Sequence, residues 1–283
     1  LSTETSVDRA LRRRAAVPAA RAVLVRSGRA PIAAARPTTV TWWEVLLLVG
    51  GGACAGVVNA VAGGGSMLTV PLLVLAGVPG TAANGSNRVG ILTSNAAAAR
   101  SFRKLGVDGL AHAAPVIGPV VIGSLIGSVA ISQVTDEAFE TAFGLLMVPL
   151  IILTVRRPPA LAADREPWSR SVTFAVFLGI GLYGGAVQAG VGLVLLAALN
   201  RAGFDLVTAN SIKVLVTLVV TAVALPVFIV QGQVHWAPAL VLAVGLTLGG
   251  WLGPHVAVRG GERLIRVAMV VAALALAVRL VFF

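Results

Sequence analysis

Residues 55–73 read AGVVNAVAGGGSMLTVPLL, and this stretch decides the fold. The residues on either side suit a membrane helix, but a triple glycine interrupts them. Gly63, Gly64 and Gly65 reach backbone angles closed to other residues and leave no side chain between a ligand and the backbone N–H groups. Ser66 is the expected N-cap of a short helix that follows. Pro71 either kinks that helix or marks its start. A helix N-terminus with free N–H groups attracts anions through its dipole and its unpaired donors. Close packing through small residues is the competing explanation. The echo of the triplet in QAGVG (188–192), with Gln188, Gly190 and Gly192, favours a binding loop.

The apolar piece after each glycine cluster is short. Residues 66–78 and 191–203 each span 13 positions, too few to cross a bilayer unaided. Longer apolar stretches cover 42–62, 82–102, 110–132 and 138–155, and then 172–188, 207–230, 236–258 and 264–283. The chain is 57% hydrophobic and 12% charged, with a mean hydropathy of +0.93. Soluble domains carry about 25% charged residues. The sequence therefore predicts an all-α integral membrane protein in a lipid bilayer, with about eight transmembrane helices. Glycine-broken, short segments in matching places of two halves point to the site of a transporter.

The halves match in register. At an offset of 126, Asn84 aligns with Asn210, Phe102 with Phe228 and Gly123 with Gly249. At 127, Gly52 meets Gly179, Gly63 meets Gly190 and Gly65 meets Gly192. Two homologous repeats follow, at 42–155 and 171–283, joined by the hydrophilic linker 156–170 and preceded by an Arg-rich leader at 1–41, expected to be disordered. The net charge of +11 is concentrated in that leader and in short gaps between apolar runs, which fits orientation by the positive-inside rule. With four crossings per half, the leader, the Arg100–Lys104 loop, the linker and Arg279 are cytoplasmic, as are both termini, and Asp136-Glu137 lies outside. With five, the repeats are inverted and Arg100–Lys104 sits opposite the leader. The four-crossing arrangement is the expectation adopted.

The second informative stretch is ANGSNRVGILTSN (83–95). On a helix Asn84, Asn87, Arg88 and Asn95 share a face. In TANSIKVLVTLVVT (208–221), Asn210, Lys213, Thr217 and Thr221 do the same. A cation within a span is expensive. Arg88 could snorkel to an interface, but two cations in matching places suggest a positively lined cavity. None of the eleven acids lies in the middle of an apolar run, so a bound anion is the expected counter-charge. The same absence argues against a carboxylate relay for cations. His112, His235 and His255 lie near span ends without metal-ligand spacing; a coupling ion, conceivably a proton, stays unassigned. Cys54, the only cysteine, reads as a small packing residue and excludes an intrachain disulfide. No nucleotide loop, nucleophile triad or haem motif occurs, so neither enzyme activity nor a cofactor is expected. No stacking aromatics accompany the arginines, so nucleic acid is not an expected partner. Self-association is compatible with the sequence.

The run from Gly63–Gly65 through Pro71–Leu73, Gly77–Pro79, Ala82–Asn95, Phe102–Arg103 and Gly106–Asp108 resembles the N-terminal signature of the sulfite exporter TauE/SafE family. A looser copy spans Gly190–Asn210 and Phe228–Trp236. The resemblance implies a plasma-membrane transporter of small sulfur-containing anions, such as sulfite or organosulfonates, driven by an ion gradient. The expectation is a secondary transporter, an exporter, working by alternating access between the repeats; an anion channel and a non-transporting assembly or scaffold protein are the alternatives. The expected substrate contacts are the backbone of Gly63, Gly64, Gly65, Ser66, Gly190 and Gly192, with Asn84, Asn87, Arg88, Asn95, Gln188, Asn210, Lys213 and Thr217. Among these, Asn84, Asn87, Asn210 and Gln188 are expected to donate hydrogen bonds to the substrate.

Overall fold

Helix α1 (Trp42–Ala62) starts where the N–H of Thr41 donates to the Glu44 carboxylate at 2.7 Å. It stops at Gly63, whose φ of +80° turns the chain back on itself. The computed structural model describes residues 40–155 and 168–282, so most of the Arg-rich leader and of the linker lies outside them. After α1 come α2 (Gly65–Leu75), α3 (Gly80–Lys104), α4 (Leu110–Ser132) and α5 (Asp136–Val155). The second half gives α6 (Arg170–Ala186), α7 (Val191–Arg201), α8 (Leu206–Val230) and α9 (Trp236–Phe282). No strand occurs among the described residues. The short pieces flagged in the sequence are the two 11-residue helices, α2 and α7. Each is followed by a 25-residue helix, α3 or α8.

Among the described residues, four helical segments are long and apolar enough to cross a membrane: Trp42–Val61, Leu110–Ser132, Leu206–Val230 and Trp236–Arg259. Helix α3 is long enough but too polar, and the reason is its position. Its three asparagines, Arg88 and all three of its serines are buried, so its polar face looks inward.

Helix directions follow from neighbouring residues. Val49 packs beside Gly245 and Ala53 beside Gly249, so α1 and α9 run parallel. Leu48 clusters with Ala82 and Ile91, and Ala60 with Ala98 and Phe102, so α1 and α3 run parallel too. Helix α2 runs back along α1, with Gly65 against Ala55 and Leu72 against Gly51. In the second half, Gly123 lies on Leu178 and Gly127 on Leu182, making α4 and α6 parallel. Gly109 lies on Ile212, and Ser124 donates to the Val220 carbonyl at 2.8 Å, so α8 is parallel to α4. Helices α3 and α8 are antiparallel: Gly85 meets Phe228, and Ser211 donates to the Val107 carbonyl.

The α1/α9 and α4/α6 pairs are built alike, through glycines on carbonyls. A Cβ on Gly249 would lie 2.2 Å from the Ala53 oxygen, and one on Gly127 would lie 2.0 Å from the Leu182 oxygen. Only a missing side chain lets the backbones approach this closely, with dispersion and Cα–H···O contacts as the reward.

Several expectations change. Trp42 and Lys104 lie at opposite ends of parallel helices, so the leader's attachment point and the Arg100–Lys104 loop do not share a side. The reason is that α2 returns the chain to the end where α1 began before α3 crosses. Residues 236–282 form one helix where two segments were expected; Gly260 and Gly261 cost helix about 1 kcal/mol each without breaking it. The α2 helix is capped by Gly64, not Ser66, which is already helical. Cys54 is exposed rather than packed. The register of α1 on α6 also shifts. Gly56 on Leu246 corresponds to Gly181 on Val120, an offset of 125 rather than 127, because the loop 187–190 is two residues longer than Gly63–Gly64.

Candidate functional site

The two chain breaks meet. A Cβ on Gly63 would lie 2.5 Å from the Cα of Gly192, and one on Gly190 would touch Met67 of α2 and Leu150 of α5. The C-terminal end of α1 and the N-terminal ends of α2 and α7 therefore converge. Gly63 and Gly190 carry φ of +80° and +68°, which lets both chains turn there without strain. Gln188, in the second break, has a φ of +62°, in the region that glycine normally fills.

Arg88 and Lys213 are fully buried, and snorkelling is excluded for both. Each finds its partner on the other half. Arg88 Nη1 donates to the Gly184 carbonyl at 3.2 Å, and Nη2 to Gly185 at 2.6 Å and Ala186 at 3.2 Å. These are carbonyls of the last turn of α6. The guanidinium carbon lies 4.5 Å from the centre of the Phe228 ring, a cation–π contact. Lys213 Nζ donates to the carbonyls of Asn59 at 2.6 Å and Ala60 at 3.0 Å, in the last turn of α1, and to Asn210 Oδ1 at 2.8 Å. No carboxylate pairs with either cation, as expected, but a bound anion is not their sole counterpart. The partners are backbone carbonyls, which an inventory of acidic side chains does not contain.

Charge still favours an anion. A helix end carries only about half a unit charge. Two full cations oppose two negative helix C-termini, and the N-termini of α2 and α7 add two positive ends. The sum is roughly two positive charges, and among the described residues no Asp or Glu is buried.

The remaining expected residues are buried around this centre. Asn84 Nδ2 donates to the Ala186 carbonyl at 2.8 Å. Thr69 donates to Asn87 Oδ1 at 2.6 Å. Asn59 Nδ2 donates to Asn95 Oδ1 at 3.3 Å. Asn210 Nδ2 donates to its own helix, at Leu206. Gln188 Nε2 donates to Thr221 Oγ1 at 2.5 Å. Left without partners are the donors Asn87 Nδ2, Asn95 Nδ2, Arg88 Nε and the Thr217 and Ser94 hydroxyls. Buried polar atoms are normally satisfied, so a cluster of unsatisfied ones asks for a ligand. The arrangement divides the expected residues. Arg88, Asn84 and Gln188 gather at the end of α6, while Lys213, Asn210 and Asn95 gather at the end of α1. Asn87, between them on α3, is tied to α2 through Thr69. Asn59 and Thr69 were missed, although each is a polar residue within the apolar run 55–73.

A separate apolar cavity of about 420 Å³ lies between α5, α6 and α7, lined by Leu146, Leu150, Ile180, Tyr183 and Val194 among others. The Tyr183 hydroxyl donates to the Ala189 carbonyl in the second break, so this cavity borders the loop that carries Gln188. Among the described residues no cluster of His, Cys, Asp or Glu could hold a metal ion.

Known proteins bear on these helices. A "Probable membrane transporter protein ORF9" from Sinorhizobium sp is 26% identical over 225 residues, covering 78% of this chain and 86% of its own length. The "Probable membrane transporter protein YfcA" of Escherichia coli K12 is 26% identical over 227 residues, covering 79% and 84%. A "Probable membrane transporter protein" from Haemophilus influenzae is 24% identical, covering 79% and 89%. No solved structure matches the chain. The profile of the family described as "Sulfite exporter TauE/SafE" matches residues 48–280, almost the whole helical region, so the chain belongs to that family of membrane transporters and is not an enzyme.

Proposed function

We propose that the protein is a secondary transporter of small anions, with sulfite or an organosulfonate as substrate and export as the direction. One observation carries this reading: two broken helices meet at Gly63 and Gly192 in a buried, net-positive centre with unpaired donors. The N–H groups of Met67, Val191 and Leu193 already donate to Gly64, Gln188 and Gly190, but those of Gly65, Ser66 and Gly192 have no acceptor within their own helices, and together with Asn87, Asn95, Thr217 and Arg88 Nε they suit oxyanion oxygens. The lack of a buried carboxylate among the described residues favours an anion over a cation.

The helix directions support two inverted repeats, α1–α5 and α6–α9. Helices α3 and α8 hold equivalent places in the chain and run antiparallel. Each bears a cation that caps the broken helix of the other half. Rocking one repeat against the other about the glycine contact would expose the centre to each side in turn. The inner membrane is the expected location.

The test is uptake of radiolabelled sulfite into proteoliposomes. Saturable uptake, competed by organosulfonates, is the expected result. Arg88→Lys keeps the charge but loses the planar fork and Nε. It should weaken apparent affinity by about tenfold or more, the worth of one charge-assisted hydrogen bond. Flux that rises linearly with concentration would favour a channel, and no flux of any anion would favour the scaffold reading.

A further inference from the structure

Three of the unpaired buried side-chain atoms are acceptors, not donors, and two of them, on Asn84 and Gln188, lie beside the end of α6. The neighbours of each fix its orientation. Asn84 faces the Ala186 carbonyl, which can only accept, so the side-chain nitrogen must point there. That leaves Asn84 Oδ1 buried without a partner. Gln188 faces the Thr221 hydroxyl, whose own proton goes to the Thr217 carbonyl at 2.7 Å. With its proton placed there, Thr221 Oγ1 accepts from Gln188 Nε2, and Gln188 Oε1 is the atom left unpaired. The expectation that these two side chains donate to the substrate is reversed.

Both acceptors flank the last turn of α6. Asn84 is bonded to Ala186, and Gln188 follows two residues later. Gln188 is also the one non-glycine residue with positive φ among the described residues. A glycine would relax that backbone, so the strain at Gln188 is offset by what its side chain does, which includes the bond to Thr221.

We infer that Asn84 and Gln188 form an acceptor subsite, and that the transported anion carries a neutral O–H donor, which this subsite binds. The inference rests on the anion site proposed above. A free metal cation does not fit the same oxygens. Arg88 already donates to Gly184, Gly185 and Ala186, so a second positive charge would sit beside a guanidinium with no buried acid to offset it. An ammonium donor meets the same repulsion. A hydroxyl satisfies the acceptors and adds no charge.

The probes are hydroxyethanesulfonate and propanesulfonate, which differ by a hydroxyl in place of a methyl at nearly equal size. Their binding to the purified protein is measured by isothermal titration calorimetry, with 2-aminoethanesulfonate, in which an ammonium replaces the hydroxyl, as a third arm expected to bind more weakly than the hydroxylated anion. The hydroxylated anion should bind at least about tenfold more tightly, because the analogue leaves the acceptors unmet. Gln188→Met, which keeps chain length and removes the oxygen, should bring the two affinities together. Asn84→Leu is the second variant, should the first fail to fold. Equal, measurable affinities in the unmodified protein would overturn the subsite and leave the anion site standing. A preference that survives in both variants would also overturn it. Binding of none of the three would refute the anion site itself, and the subsite with it.

Discussion

The end of α6 and the end of α1 are capped in the same way and left in different states. At α1, Lys213 places all three ammonium protons, two on carbonyls and one on Asn210. Nothing on that side chain remains for a ligand. At α6, Arg88 places both terminal nitrogens and keeps Nε free. Beside it stand the strained Gln188 and the unmet oxygens of Asn84 and Gln188. One geometry thus serves two purposes. At the α1 end the cation itself is fully bonded, although Asn95 Nδ2 nearby is not, whereas at the α6 end the cation keeps a free donor, and it is this second end that is proposed to meet the substrate. The lesson is that an intramembrane cation is informative through its leftover valences, not its charge alone.

The largest expected effect breaks the complete end. Lys213→Met strands the carbonyls of Asn59 and Ala60 and the Asn210 oxygen, each at about 1–3 kcal/mol. The melting midpoint in detergent should fall on the order of 10 °C, well beyond the fall in Arg88→Lys. An equal fall in both variants would erase the distinction between the two ends.

A middle-sized effect tests whether the helix pairs beside each end are equivalent. A Cβ at Gly127 would collide with Leu182 and one at Gly249 with Ala53. Gly127→Ala and Gly249→Ala should each cost about 1–3 kcal/mol, read from the same melting experiment. A cost at one site alone would mean that the two interfaces differ.

The smallest effect lies outside the membrane centre. Asp205 caps α8, accepting from the N–H groups of Val207 at 2.9 Å and Thr208 at 3.0 Å. Burial raises its carboxyl, but these bonds, together with one from the Thr208 side chain, outweigh burial and hold it below the ordinary value of 3.8. A carboxyl depressed on folding stabilises the protein fully above its unfolded value, and that stability fades as pH falls through the folded one. Asp205→Ala should cost about 1 kcal/mol at neutral pH. The gap between variant and parent should close well below pH 3.8. A gap unchanged with pH would exclude the carboxylate as the cap.

Local patterns carried much of this architecture. The boundaries of α1 and α4 are those of the apolar runs 42–62 and 110–132, and the 13-residue pieces after the glycines are α2 and α7. The buried faces of α3 and α8 followed from helical period, since only residues three and four apart can share a face. Helix direction was not legible. It depends on whether α2 crosses or turns back, and length alone does not decide that. The partners of Arg88 and Lys213 were hidden for a different reason, being backbone oxygens exposed only where a helix ends. Amide orientation in Asn84 and Gln188 depends on what lies opposite, which no single stretch contains.

The most direct measurement is a structure of the protein soaked in selenite, with the anion located by the anomalous scattering of selenium. The account predicts one selenium peak within hydrogen-bonding reach of the Gly63–Ser66 and Gly190–Gly192 backbone, beside Arg88. A fully occupied selenite elsewhere, with this centre filled by side chains alone, would contradict it.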